Sequence, residues 1–256
     1  MRADLQNRVA QAIELAKSAG ASDAWATVGQ SRDVEFEHRD GALEKVKDTT
    51  SRMLDIQVYA DGRYSTHQTT DLDPERLKSF VAEAVAITRA LEPDESRQPT
   101  PEELFANRPQ DDLDLVDPVV ATIDRDRRLE WCRELDKVAT GHERVISATA
   151  GVYDGSAMSV SASSNGFLGS QESTYCWYGA SVTLKDEGER RASDGYYVGG
   201  AHVSTLPDAA GVAGVALERA LSRIGTDKGP TSKGSMLVDA RAAASLLGRL
   251  LGSANA

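Results

Sequence analysis

The stretch "MLDIQVYADGRYSTHQTT" at residues 53–70 predicts a β-hairpin. Apolar and polar residues alternate in its first part, which is typical of a strand with one buried face. The pair Asp61-Gly62 that follows is a strong signal for a two-residue hairpin turn. The stretch therefore indicates antiparallel sheet, and the side chains expected on its buried face are Leu54, Ile56 and Val58.

The segments around this hairpin predict helices and further strands. Residues 4–19 carry an apolar stripe at helical spacing, and Asp73-Pro74 opens a second helix because Asp caps a helix and Pro fits its first turn. Between them, "AWATVGQ" at 24–30 and "DVEFEHR" at 33–39 alternate apolar and polar residues, as strands do. The first part of the chain thus reads as helix, antiparallel strands, helix.

The second part of the chain repeats this order. Helices are predicted near 125–139 and 207–223, with strands between them that are separated by Asn165-Gly166 and Glu187-Gly188. We predict an α+β fold of two lobes, each made of antiparallel strands flanked by helices.

A connector rich in proline and acidic residues separates the two parts. Residues 92–126 hold eleven acidic and three basic residues. A loop of this length without secondary structure is unusual inside one compact domain, so a boundary is expected there. The predicted organisation is an N-terminal lobe at 1–92, a connector at 93–123, a second lobe at 124–228 and a further segment at 229–256.

The last segment is predicted to be a linker followed by the first strand and helix of a truncated C-terminal region. The strand is expected at Met236–Val238, and the helix after it is rich in leucine. Exposing four leucines forgoes roughly 6 to 12 kcal/mol, which is comparable to the whole stability of a domain, about 5 to 15 kcal/mol. We therefore expect further chain or a partner to cover Leu246, Leu247, Leu250 and Leu251.

Composition narrows the range of functions. The net charge of −11 offers no broad cationic surface, so direct binding to nucleic acid or to an anionic membrane is not expected. The N-terminus lacks the apolar run of a signal peptide, and no segment has 18 consecutive uncharged apolar residues. Cys132 and Cys176 are expected to be buried free thiols in a reducing compartment. The predicted location is the cytoplasm.

Four stretches together resemble the TldD/PmbA family, in its PmbA or TldE branch. They are "DGALEKVKDTTSRMLDIQVYADGRYSTHQTTDLDPERLKSFVAEAVAITRA" at 40–90, "DDLDLVDP" at 111–118, "SNGFLGSQESTYCWYGASVTLKDEGERRASDGYYVGG" at 164–200, and "ALERALSRIGTDKGPTSKGSMLVDARAAASLLGRLLGSA" at 216–254. Members of the family were first described as modulators of DNA gyrase. The resemblance covers the family's N-terminal and middle regions without its C-terminal domain.

The resemblance implies a subunit of a cytosolic zinc-dependent protease that acts on peptides and unfolded proteins. In this family a TldD-type subunit carries His-Glu-x-x-x-His on a helix after a buried strand, and those positions fall here on Gly248, Arg249 and Ser253. None of these residues supplies a zinc ligand or a base that could activate water. The resemblance thus implies a non-catalytic component of a metallopeptidase complex, with no catalytic residue and no cofactor in this chain. Zinc is expected in a TldD-type partner, within an oligomer.

Aromatic residues cluster in "STYCWYG" at 173–179, where Tyr175, Trp177 and Tyr178 could line a groove for a peptide substrate. Core packing and cross-strand pairing explain the same cluster equally well.

The sequence gives weaker support to two other kinds of catalytic site. His142-Glu143 lacks a second histidine four residues on, where Ile146 stands, so a surface turn is expected. The histidines at 38, 67 and 202 could join a nucleophilic triad, but no Gly-x-Ser-x-Gly marks a nucleophile and structural roles are favoured. The alternative functions are a stand-alone protein-interaction module of the gyrase-modulator type and, more weakly, an independent enzyme.

Overall fold

The computed structural model describes residues 1–94, 96–107, 111–227 and 229–254, which form two units, 1–224 and 225–256. Helices alternate with antiparallel strands, so the predicted α+β class is confirmed. The helices are α1 (Arg2–Ser18), α2 (Pro74–Arg89), α3 (Arg125–Ala139), α4 (Ala209–Leu221) and α5 (Ala240–Ala254); the strands are β1 (Asp23–Arg39), β2 (Ala42–Ala60), β3 (Arg63–Thr69), β4 (Val145–Ser163), β5 (Leu168–Lys185) and β6 (Arg191–Gly200).

All six strands belong to one antiparallel sheet in the order β3-β2-β1-β4-β5-β6. Strand β1 pairs with β2 on one side and with β4 on the other, from Trp25 opposite Ser163 to Arg39 opposite Thr149. The predicted lobes 1–92 and 124–228 therefore share a sheet, and residues 1–224 form one compact unit. This differs from the boundary expected at the connector, because pairing between distant strands leaves no signal in the local sequence.

Strand β1 is one long element where the sequence predicted two short ones. The buried residues are even-numbered on both sides of Ser31-Arg32, so the two predicted segments bury the same face, although Gln30 and Arg32 between them are not buried. Two turns then fold the chain back and forth: Asp40-Gly41 joins β1 to β2 and Asp61-Gly62 joins β2 to β3. All four of these residues have positive φ, as a type I′ hairpin turn requires, which explains the Asp-Gly pairs.

The helices of residues 1–224 pack on one face of the sheet over two neighbouring cores. One core lies under α1 and α2, and the other lies under α3 and α4. We call this side the helix face. The opposite side, formed by the odd-numbered residues of β1 and their register partners, we call the open face. The residues of β1 that are buried on the helix face are Ala24, Ala26, Val28, Val34, Phe36 and His38.

A buried ion pair ties α3 to the middle of the helix face. The Arg128 guanidinium donates to both carboxylate oxygens of Asp154 on β4, at 2.6 and 2.7 Å, and the two side chains are only 6% and 3% exposed. The Arg128 side chain also lies over the ring of Phe36. The bidentate geometry fixes the position of α3 on the sheet.

The connector is docked on the sheet. The backbone N–H of Thr174 donates to the carbonyl of Leu115 (2.9 Å), and the Asn165 side chain donates to the carbonyl of Thr100 (2.8 Å). The carboxylate of Asp117 accepts the backbone N–H groups of Val119 and Val203, at 2.9 and 2.8 Å. These bonds fasten the connector to β5 and to the loop after β6, so it does not act as a free linker between separate lobes.

The unit at 225–256 contains α5, as predicted, but the strand expected at Met236–Val238 is not observed. Met236 and Leu237 are 76% and 99% exposed, and a strand forms only where a neighbour pairs with its backbone groups. The four leucines of α5 are between 41% and 64% exposed in this chain alone. Their burial against further chain or a partner stays a prediction.

We expect Asp154→Ala to lower the free energy of unfolding by about 3 to 5 kcal/mol, because it leaves the Arg128 charge buried without a partner. Urea unfolding followed by circular dichroism measures the change. The double variant Arg128→Met/Asp154→Leu should recover most of the loss, since apolar replacement of a buried pair is often neutral. The control Glu130→Gln, which removes an exposed pair with Arg127, should change stability by less than about 1 kcal/mol. A loss for Asp154→Ala as small as that of the control would contradict the role given to the pair.

We expect Asp117→Ala to release the connector, because two backbone N–H groups lose their acceptor. Limited proteolysis within residues 111–123 should become about tenfold faster, since cleavage follows the population of the open form. The control Asp112→Ala lies in the same segment, where its carboxylate accepts the nearby N–H of Asp114. Equal cleavage rates for the two variants would show that Asp117 does not hold the connector.

Candidate functional site

The open face is the candidate binding surface. Tyr175 and Trp177 from the predicted aromatic cluster lie on it, and Trp177 is 47% exposed. Tyr178 does not: it is 3% exposed on the helix face, where it packs against Trp131 and its hydroxyl donates to the carbonyl of Pro207. Side chains alternate between the two faces of a strand, so the three neighbours in sequence cannot line one groove. The assignment of Tyr178 to a substrate groove is therefore wrong.

Glycines make room for aromatic rings on this face. Trp177 on β5 lies opposite Gly199 on β6, and Tyr197 on β6 lies opposite Gly179 on β5. A Cβ atom at Gly199 would overlap the Trp177 indole, and one at Gly179 would overlap the backbone and ring of Tyr197. Each ring thus covers the glycine of the neighbouring strand. We call the rings of Tyr153, Tyr175, Trp177 and Tyr197 the aromatic platform.

Two carboxylates on β1 border the platform. The hydroxyl of Tyr175 donates to Asp33 (2.8 Å), and the hydroxyl of Tyr153 donates to Glu37 (2.6 Å). Burial raises the pKa of each tyrosine well above its usual range, and the hydrogen bond to the carboxylate raises it further. Both hydroxyls therefore keep their protons and act as donors. Between the two carboxylates, Glu35 forms an ion pair with Lys45 (2.8 Å).

A shallow cavity of about 340 Å³ lies beside the platform on the same face. The sheet is four strands wide there, because β3 pairs only with residues 54–60 of β2 and β6 only with residues 176–185 of β5. We call this cavity the trough. Its open-face lining residues are small or polar apart from one methionine: Gly29, Ser31, Ser51, Met53, Ala157, Ser159, Gln171 and Ser173.

The three candidate histidines lie on different elements and are not brought together. His38 is buried on the helix face, where burial lowers its pKa and its Nδ1 has no hydrogen-bond partner among the described residues. His202 follows β6, and its Nε2 lies 2.8 Å from the carbonyl of Asp114 in the connector. His67 lies on β3, with its Nε2 2.7 Å from the hydroxyl of Ser65.

The Ser65–His67 pair fastens β3 to α2. The Ser65 hydroxyl also contacts Thr88 of α2, which donates in turn to the carbonyl of Ala84. The His67 ring meets the ring of Phe80 edge to face. These contacts give both polar side chains a structural role at the helix face.

The other sequence candidates lie in a turn and on α5. His142-Glu143 forms a turn, in which the N–H of Arg144 donates to His142 Nδ1 (3.1 Å). Gly248, Arg249 and Ser253 lie on α5, where Ser253 donates to the carbonyl of Arg249. Within the described ranges, His, Cys, Asp and Glu side chains form no group of three that could hold a metal ion.

The two cysteines are free and buried on the helix face. Burial raises the pKa of Cys132 and of Cys176 to about 12, so both remain thiols. None of the helices in the described part of the chain is long and apolar enough to cross a membrane.

The sequence analysis missed several residues of the open face, including Asp33, Glu37, Tyr153 and Tyr197. Each becomes part of a surface only through the register of β1, β4, β5 and β6. A partial signal was present in the sequence, because glycine and aromatic residues alternate in "SDGYYVGG" at 193–200.

Comparison with known proteins gives consistent matches. Residues 119–224 match the family described as the PmbA/TldA metallopeptidase central domain. The chain is 29% identical over 254 residues to metalloprotease PmbA of Escherichia coli O157:H7, covering 97% of this chain and 55% of that protein.

Solved structures share the fold. A crystal structure of a putative modulator of DNA gyrase from Bacteroides thetaiotaomicron is 28% identical with a TM-score of 0.82, covering 87% of this chain and 51% of that one. TldE from Thermococcus kodakarensis is 15% identical with a TM-score of 0.67, covering 84% of this chain and 47% of that one, and shows the fold alone. The chain spans about half the length of these relatives. Residues 119–224 therefore match the PmbA/TldA metallopeptidase central-domain family, and the chain is similar to metalloprotease PmbA over most of its length.

Proposed function

We propose that the chain is a non-catalytic, PmbA/TldE-like subunit of a cytoplasmic zinc metalloprotease of the TldD/TldE type, which acts on peptides and unfolded proteins. The observation that carries the proposal is the similarity of 97% of the chain to metalloprotease PmbA. The residues at the family's metal positions support the non-catalytic role, because Gly248, Arg249 and Ser253 offer neither a ligand nor a base. Zinc is then supplied by a TldD-type partner.

The chain's own contribution is to hold substrate. Its open face combines exposed aromatic rings with the hydroxyl and amide groups of the trough, so it can contact both the side chains and the backbone of an extended polypeptide. No group on this face needs to take part in bond cleavage. The residues we assign to this role are Tyr175 and Trp177, together with Asp33.

Helix α5 is the proposed contact to the partner or to further chain. Its four leucines lie on one side of the helix, and each side chain gains roughly 1.5 to 3 kcal/mol on full burial. Exposed apolar stripes of this kind mark interaction surfaces.

The second candidate is a stand-alone protein-interaction module. The description of the Bacteroides relative as a putative modulator of DNA gyrase favours it. Such a module would bind its target without a zinc-bearing homologue and without any effect on proteolysis.

We expect casein or unfolded-peptide hydrolysis only when this chain, within its complete protein, is co-expressed with a TldD-type subunit from the same genome. A zinc chelator should abolish the activity, and added Zn²⁺ should restore it, because the partner's metal activates the water. The matched control is the partner expressed alone. Chelator-resistant hydrolysis by these 256 residues alone would overturn the subunit assignment, and stable binding without any effect on hydrolysis would favour the interaction module.

We expect Leu247→Glu/Leu250→Glu to lower the amount of TldD-type partner that co-purifies with the chain by at least about tenfold, because two apolar contacts are replaced by charges that must be desolvated. Ser245→Glu/Gly252→Glu adds the same two charges to the other side of α5 and is the control. Equal retention of the partner by the two variants would show that the leucine stripe is not the contact.

A further inference from the structure

We propose that the open face binds an extended polypeptide segment that carries a lysine or arginine side chain, with the cation held by Asp33 and Glu37 and the neighbouring residues lying on the aromatic platform. The inference rests on the proposed function and deepens it by naming the substrate class.

The charges on the open face select a cationic occupant. Asp33 accepts hydrogen bonds from Tyr175 and from Ser31 (3.0 Å), and Glu37 accepts one from Tyr153. All of these donors are neutral, and within the described ranges neither carboxylate forms an ion pair. A carboxylate has about four lone-pair sites for acceptance, so both groups can still receive a charged donor.

Two lysines of β2 compensate part of the charge on these β1 carboxylates. Lys45 pairs with Glu35 and lies opposite Glu37 in the register, and Lys47 lies opposite Glu35. Asp33 lies opposite Thr49, so three carboxylates face two lysines and a net negative charge remains beside the platform. This net charge favours a cationic occupant over an acidic one.

The platform provides the apolar part of the contact. Trp177 is 47% and Tyr197 is 37% exposed, although both are large aromatic side chains. Their inner faces cover glycines, so their outer faces are presented to solvent. The aliphatic stem of lysine or arginine packs well on such rings, and its cation gains further from the ring electrons.

The trough fits the backbone of an extended segment. Four strands about 4.8 Å apart give a width of about 14 Å, which corresponds to about four extended residues at roughly 3.3 Å each. Ser31 lies in the trough and donates to Asp33, so the carboxylate stands directly beside the path of the segment. A basic side chain from a segment in the trough can therefore reach it.

The test measures binding to the purified chain by fluorescence anisotropy. Three fluorescein-labelled ten-residue peptides are compared; they share an alternating apolar pattern and differ only in having Lys, Gln or Glu at the polar positions. We expect the Lys peptide to bind at least tenfold more tightly than the Gln peptide and the Glu peptide to bind most weakly. Added salt should weaken the Lys peptide selectively.

The variants separate the two parts of the surface. Asp33→Asn/Glu37→Gln keeps both tyrosine hydrogen bonds and should bring the Lys peptide to the affinity of the Gln peptide. Glu83→Gln/Glu134→Gln removes two charges from exposed positions of α2 and α3 and should leave the preference unchanged. Trp177→Ala should weaken all three peptides, and Gly199→Ala, which displaces the indole, should do the same if Trp177→Ala fails to fold.

Binding that is indifferent to charge, tighter binding of the Glu peptide, or no binding by the wild-type chain would overturn the inference. The assay uses neither partner nor zinc, so it is independent of the hydrolysis experiment. If the chain prefers the Lys peptide but the co-expressed pair shows no chelator-sensitive hydrolysis, the result counts against the subunit role and not against this inference.

Discussion

Strand β1 pairs along its whole length with β4, which comes from the other half of the chain. This pairing joins two helix–strand–helix segments into one sheet. The buried residues of β1 are even-numbered in both of its halves, so both helix pairs lie on the same side. Two separate cores then form over one continuous surface. The opposite side stays free of those helices over the width of the sheet, so the candidate site exists because the two halves share strands.

The local elements could be predicted from the sequence because their signals are short-range. Asp73 caps α2 by accepting from the N–H groups of Glu75 and Arg76, and Asp61-Gly62 adopts the left-handed conformation that its turn requires. The β1–β4 pairing could not be predicted, since an alternating strand specifies which face is buried and not which strand lies beside it. A proline-rich connector between the halves then suggested a boundary. The connector is nevertheless docked, because Asp117 accepts the N–H of Val203 and Leu115 accepts the N–H of Thr174.

The candidate site, too, could be predicted only where the signal lies in neighbouring residues of the sequence. The number of aromatic residues at 175–178 suggested a surface site. Tyr175 and Trp177 do lie on the open face, but Tyr178 is buried on the helix face. A count of aromatic residues does not take into account that side chains alternate between the two faces of a strand. Asp33 on β1 reaches Tyr175 on β5 across one intervening strand, β4, where Gly155 lies opposite both residues. Whether a glycine lies opposite an aromatic residue depends on how two strands pair, so these contacts can be identified only once the register is known.

The shared sheet also limits where a binding activity can reside. The trough takes its lining from β1 and β2 of the first half and from β4 and β5 of the second, and the carboxylate of Asp33 on β1 receives its hydrogen bond from Tyr175 on β5. Neither half can form this surface alone. The buried Arg128–Asp154 pair stands on the reverse side of the same strands and holds α3 against them. Rigidity on the helix face thus supports a precise arrangement of rings and carboxylates on the open face, which is what selective recognition of a flexible polypeptide demands.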